Sequence, residues 1–160
     1  MDRAAELIES LGLLPHPEGG YFREIHRSAG AVVPEDGRDA RSALTLIYFL
    51  LGERQVSRWH RVASDEAWHF HEGAPLELVV ADPDFERVST RRLATWGGDA
   101  EPVSVVPAGH WQAARTTGTY TLVSCAVGPG FEFADFVMLR DVADEAERVR
   151  KNHPDLASFI

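Results

Sequence analysis

After residue 20 the helical period leaves this chain, and about ten short apolar segments follow, separated by turn-forming residues. Segments of four to nine residues that alternate in polarity, broken by Gly, Pro and Asp, are the signature of strands closing into a sandwich or barrel. The expected strands are Tyr21–Ser28, Ala43–Leu51, Gln55–His60, Glu66–His71, Pro75–Ala81, Glu86–Leu93, Pro102–Val106, His110–Arg115, Tyr120–Val127 and Phe133–Leu139. Turns are expected at Val33–Arg38, around Asp82-Pro83-Asp84, and at Gly97-Gly98-Asp99. Only the two ends keep a period of 3.6. Arg3–Leu11 places Ala4, Leu7, Ile8 and Leu11 on one side, with Asp2 as a candidate N-cap and Gly12 as a stop. Asp141–Asn152 carries Val142, Ala146 and Val149 on one stripe and ends before Pro154. An all-β domain with a short helix at each end is the predicted architecture. A length of 160 residues fits one domain, 1–160, able to bury a core without staples.

Charge narrows the partners. A formal charge of -9 lacks the basic footprint that nucleic acid or an anionic membrane requires. The longest apolar run, Leu44–Leu51, is too short to span a bilayer, and the first residues do not read as a secretory signal. A cytoplasmic location is the default expectation. The single cysteine, Cys125, lies in an apolar, β-branched run and reads as a buried core thiol rather than a nucleophile.

Chemistry concentrates around three His-Trp neighbours. His60, His69 and His71 fall within twelve residues, His110 stands in a second such segment, and Trp59, Trp68 and Trp111 adjoin them. Imidazole near carboxylate, walled by aromatic rings, suits acid–base catalysis or metal binding, although a lone His beside a Trp is more often packing. Alternation puts Glu66, Trp68 and Phe70 on one face and His69 and His71 on the other. The apolar neighbours place the Glu66 set inside. His110 and Gln112 share a face opposite Trp111, and a bulge would be needed to exchange faces. The loop Leu14-Pro15-His16-Pro17-Glu18-Gly19-Gly20 has two readings of equal weight. It is either a rigid connector or a rim over the barrel mouth where His16 and Glu18 touch ligand.

The stretch Ser57-Arg58-Trp59-His60 through Glu66 to Glu72-Gly73 resembles the first cupin motif, and Pro107-Ala108-Gly109-His110-Trp111-Gln112 resembles the second. Leu14–Glu24, Ile47–Leu51, Trp68–Gly73 and Val127–Phe136 are similar to a family of small cupins of unassigned function, so the likeness runs from about Leu7 to Leu139. That family is in turn similar to the dTDP-sugar epimerase branch. The resemblance implies a cupin jelly-roll β-barrel, usually a homodimer, that binds a small polar molecule. It implies an epimerase or isomerase of a sugar or related carbonyl compound, with a non-enzymatic binder and a metal-dependent lyase or oxygenase as alternatives. His60, Glu66 and Tyr21 are the implied catalytic groups. Arg23, Tyr48, Trp68, Phe70, His110 and Gln112 are candidate substrate contacts, and Arg41 is a further candidate for an anionic group. The motif positions depart from a metal cupin, since Arg58 and Gln112 stand where His is usual. The cofactor expectation is therefore none, or a divalent ion weakly held by His60, Glu66 and Gln112.

Overall fold

The computed structural model describes residues 2–160. Helix α1 (Arg3–Leu11) ends as its sequence requires. Gly12 adopts φ 62°, its N–H reaches Glu9 O, and the Leu13 N–H reaches Ile8 O, which closes a Schellman stop. Asp2 stands at the N-cap without a side-chain capping bond.

Two six-stranded sheets follow, packed face to face. In the first, the order is β1 (Leu14–Pro15), β2 (Tyr21–Arg27), β5 (Thr45–Gly52), β13 (Tyr120–Gly128), β7 (Asp65–Gly73) and β11 (Val103–Val106). In the second, it is β10 (Ala100–Glu101), β9 (Val88–Leu93), β8 (Leu76–Ala81), β12 (Trp111–Thr116), β6 (Val56–Val62) and β14 (Phe136–Met138). A small hairpin of β3 (Ala31–Val32) and β4 (Arg41–Ser42) projects from the first sheet. All pairings are antiparallel except β10 with β9. Most central neighbours, such as β5 with β13, β13 with β7, β12 with β6 and β6 with β14, are distant in sequence, as in a jelly roll, so the expected all-β class with two terminal helices is the observed one.

Three apolar clusters explain why the sheets hold together. Phe49, Trp68, Leu78, Val80, Val123 and Cys125 meet between the sheets. Ala4 and Leu7 of α1 cover Leu50 and Leu122 on the outer face of the first sheet. Helix α2 (Ala143–Asn152) and the turn Pro154–Phe159 cover the second sheet from outside, where Trp59, Trp111, Phe85 and Phe159 interlock. Trp59 and Trp111 therefore brace the C-terminal helix and do not wall the interior. The strand expected over Phe133–Leu139 begins instead with a 3₁₀ turn at Phe133–Asp135, and only Phe136–Met138 pairs, with β6. No helix among the described residues is long and apolar enough to cross a membrane.

Candidate acid–base site

One end of the sandwich opens into a cavity of about 100 Å³ between the sheets. Strands β6 and β7 bring His60 and Glu66 to it, and β13 brings Cys125. The fourth and fifth polar groups, His16 and Glu18, come from the loop before β2.

That loop is shaped by its glycines. Gly19 has φ 110°, and a Cβ there would stand 2.0 Å from Val56 O. Gly20 has φ 72° with Leu50 O 2.7 Å from its notional Cβ. Only glycine fits at both positions. The close approach lets the Arg58 N–H donate to Glu18 O at 2.8 Å, and the Ser57 hydroxyl donate to Glu18 Oε1 at 2.7 Å. Glu18 is consequently buried, 6% exposed.

His60 is 2% exposed, and its Nδ1 lies 2.7 Å from Arg58 O. Since a carbonyl only accepts, that bond assigns the proton of the neutral ring to Nδ1 and leaves Nε2 with a bare lone pair. Nε2 faces Glu18 Oε2 at 3.2 Å. Two acceptors do not attract each other, so one proton must lie between them. Burial disfavours an ion pair and favours a carboxylic acid donating to a neutral imidazole. Burial pushes the Glu18 carboxyl up to about 8, opposed by the Ser57 hydroxyl bond. The same burial lowers His60, against the pull of the Glu66 charge and the Arg58 carbonyl.

His16 is wired the opposite way. The Glu18 backbone N–H donates to its Nδ1 at 3.1 Å, so the neutral ring carries its proton on Nε2. Burial, then the neighbouring His60 charge, lowers it to about 4.

Glu66 is the second buried acid, 7% exposed. Gln112 donates to its Oε2 at 2.6 Å, and the Trp68 indole donates to Gln112 Oε1 at 2.8 Å. The indole fixes the amide orientation, because it can only donate. Burial raises Glu66 to about 7, partly offset by His60. Cys125 lines the same cavity, and burial, then the Glu66 charge, pushes its thiol up.

The sequence-selected residues thus separate. His60, Glu66 and Gln112 come together as expected, Gln112 acting through Glu66. Trp68 and Phe70 lie in the inter-sheet core, as the alternation of β7 requires, with Trp68 supporting Gln112. Tyr21 and Tyr48 pack with the α1 cluster and do not line the cavity. The Arg23 guanidinium caps Leu11 O. Arg41 is held by Asp135 at 2.9 Å through Nε and Nη2. His110 sits in the turn before β12 and lines an outer dent beside Asp82 and Arg87. His71 contacts the Ser124 hydroxyl at 2.8 Å, away from the cavity. His16 and Glu18 of the Pro15–Gly20 loop line the cavity, and Cys125 belongs to both core and cavity wall.

These positions do not suit a divalent ion held by His60, Glu66 and Gln112. Gln112 turns its amide nitrogen, a donor, toward Glu66, and its oxygen accepts from Trp68. Among the described residues no three His, Cys, Asp or Glu side chains converge as a metal-holding group.

The sequence matches the profile of the Cupin superfamily (DUF985) over residues 5–139. A structure from Shewanella oneidensis is 31% identical and covers 99% of this chain and 94% of its own, with a TM-score of 0.83. An uncharacterised protein of Saccharomyces cerevisiae is 27% identical over 84% of this chain and 74% of its own length. A dTDP sugar isomerase from Desulfovibrio desulfuricans shares the fold at 14% identity and a TM-score of 0.52, covering 79% of this chain and 85% of that one.

Proposed function

Since the chain belongs to the cupin superfamily, in the family described as DUF985, we propose that its barrel interior is a proton-transfer site for a small carbonyl compound, a sugar or a relative of one. The reaction class is isomerisation or epimerisation. The observation that carries this reading is the presence of two buried carboxyls on one cavity, Glu18 and Glu66, with a tautomer-fixed imidazole against the first.

Glu18 and Glu66 have the same chemistry but different neighbours. Burial raises Glu66 to about 7 and Glu18 to about 8, and their partners separate the roles. The Gln112 amide donates to Glu66 and favours its carboxylate, while His60 Nε2 calls for a proton on Glu18. Different partners of this kind divide base from acid. In the forward step, the Glu66 carboxylate takes the C–H proton next to the carbonyl and becomes an acid. Glu18 gives its proton to the carbonyl oxygen, and an enol forms. On a substrate with a hydroxyl on the carbon that lost its hydrogen, Glu66 then returns its proton to the former carbonyl carbon, and Glu18 recovers one from that hydroxyl, which becomes the new carbonyl. The pair ends as it began. His60 holds the Glu18 proton between transfers through Nε2, and Arg58 O keeps its ring from turning. The acid role expected of Tyr21 passes to Glu18, because the tyrosine lies outside the cavity. The step uses side chains alone.

Incubation in deuterium oxide with dihydroxyacetone and 2-hydroxyacetophenone tests the proposal. Enzyme-dependent deuterium incorporation at the carbon next to the carbonyl, reduced at least 100-fold in Glu66→Gln, is expected. Exchange at the uncatalysed rate with both compounds would count against the reading.

A further inference from the structure

The mouth of the cavity carries one cation, Arg27, and its donors are already engaged. Its Nε and Nη2 each meet the Glu24 carboxylate at 2.9 Å. Nη1 reaches Glu132 at 2.9 Å, and Nη2 also meets Phe131 O at 3.0 Å. A guanidinium has five N–H groups in a fixed fork, so a single donor is left for anything entering. With two carboxylates on one guanidinium, the rim carries a net negative charge.

The interior repeats the pattern. Apart from Arg27 the cavity is lined by no Lys or Arg among the described residues. Its buried ionisable groups are two acids, the Cys125 thiol, and two imidazoles whose burial opposes a positive charge. The remaining wall is mostly apolar and rich in aromatic rings. Phe131 and Phe133 have ring centroids 5.1 Å apart, and Phe136 lies 5.4 Å from the His60 ring. Phe133 is 55% exposed at the opening, where an incoming molecule would meet it.

We propose that the cavity selects an uncharged carbonyl compound that lays an apolar face against the aromatic rings, and turns away carboxylates and phosphates. This rests on the proton-transfer reading of the same cavity, and it narrows the substrate to one lacking a phosphate or acid group. An anion would have to displace Glu24 or Glu132 from Arg27, then lie beside Glu66 in a site with little solvent to screen the repulsion. An uncharged carbonyl needs only one acid to donate to its oxygen, which Glu18 supplies, and ring contact from the phenylalanines.

Benzamide and benzoate, alike in shape and unlike in charge, separate the possibilities. Binding is followed at pH 7.5 through the side-chain carbon signals of His60 and Phe136. Benzamide is expected to shift both signals and to bind at least tenfold more tightly than benzoate. In the double variant Glu24→Gln/Glu132→Gln, Arg27 is freed, and benzoate is expected to gain about tenfold while benzamide stays unchanged. Equal or tighter binding of benzoate to the unaltered protein would overturn the selectivity and leave the proton-transfer reading standing. No shift with either probe would overturn the cavity as a ligand site, and the proposed function with it. If the double variant does not fold, a salt titration serves. Added chloride should not weaken benzamide binding, and chloride competing with benzoate for a filled Arg27 site would contradict the proposal.

Discussion

Two regions of this protein hold carboxylates with similarly little exposure to solvent and treat them in opposite ways. Asp135, 9% exposed, accepts from Arg38 Nη1 and from Arg41 Nε and Nη2, each at 2.9 Å. The Arg41 bonds, aided by Arg38, hold its carboxyl below the ordinary range. Glu18 and Glu66 meet no guanidinium, and burial lifts them to about 8 and about 7. Low exposure alone therefore does not decide the state of an acid: Asp135 lies nearer the surface between two guanidinium groups, while Glu18 and Glu66 lie deeper with no cation beside them. A clamped carboxylate fixes structure, here the turn that leads into Phe136 and the cavity wall. An unclamped one stays near neutrality and is available for proton transfer.

Breaking the clamp should have the largest effect. Asp135→Asn leaves two guanidinium groups, with side chains 14% and 12% exposed, without their shared partner. Unfolding in urea is expected to report a loss of about 3 kcal/mol. The turn at Phe133–Asp135 should loosen, seen as faster amide exchange there than in β13.

The pH dependence sharpens the same contrast. Glu18 rises from 4.5 to about 8 on folding and Glu66 to about 7, so each makes stability fall with pH within its window. His16, lowered from 6.5 to about 4, makes stability rise with pH below 6.5 and offsets them there. Above 6.5 the histidine contribution ends, and the acids act unopposed. The protein is expected to lose on the order of 2 kcal/mol between pH 6.5 and 8.5 in urea titrations. The clamped Asp135 contributes nothing in that range, because both of its values lie well below it.

The smallest effect is expected from Glu18→Gln. The amide keeps the Ser57 bond through its oxygen and offers an N–H to the bare His60 Nε2, so the geometry survives. Stability at pH 6 should change by less than about 1 kcal/mol. The decline above pH 7 should shrink, and deuterium exchange should fall sharply. That combination separates a chemical role from a structural one.

Much of this was legible in the sequence. The turn residues and the period of two located most strands, Gly12 located the end of α1, and alternation along β7 put Glu66 and Trp68 inside. The family resemblance supplied the jelly roll. Three features were not legible, each for a physical reason. Trp59 and Trp111 look like cavity walls beside their histidines, but alternation turns them outward, where the distant C-terminal tail covers them. Arg41 looks like an anion binder, yet its partner Asp135 lies 94 positions away and only the fold joins them. Glu18 was visible as one residue of a shaped loop. Its weight depends on contact with Ser57 and His60 of another sheet. The one local signal for that contact was Gly19-Gly20, a pair whose backbone must pass close to something. Tyr21, conversely, has the right chemistry on the wrong side of its strand.

Glu18 and Glu66 should titrate near neutrality while Asp135, as little exposed to solvent but clamped by two arginines, should not. Carbon-13 NMR of protein labelled in its carboxyl carbons, titrated from pH 4 to 9, measures this directly, with Glu18→Gln and Glu66→Gln assigning the signals. Glu18 is expected at about 8, Glu66 at about 7, and Asp135 below the ordinary carboxylate range. Titration of both glutamates below about 5, in the range of ordinary carboxylates, would contradict it.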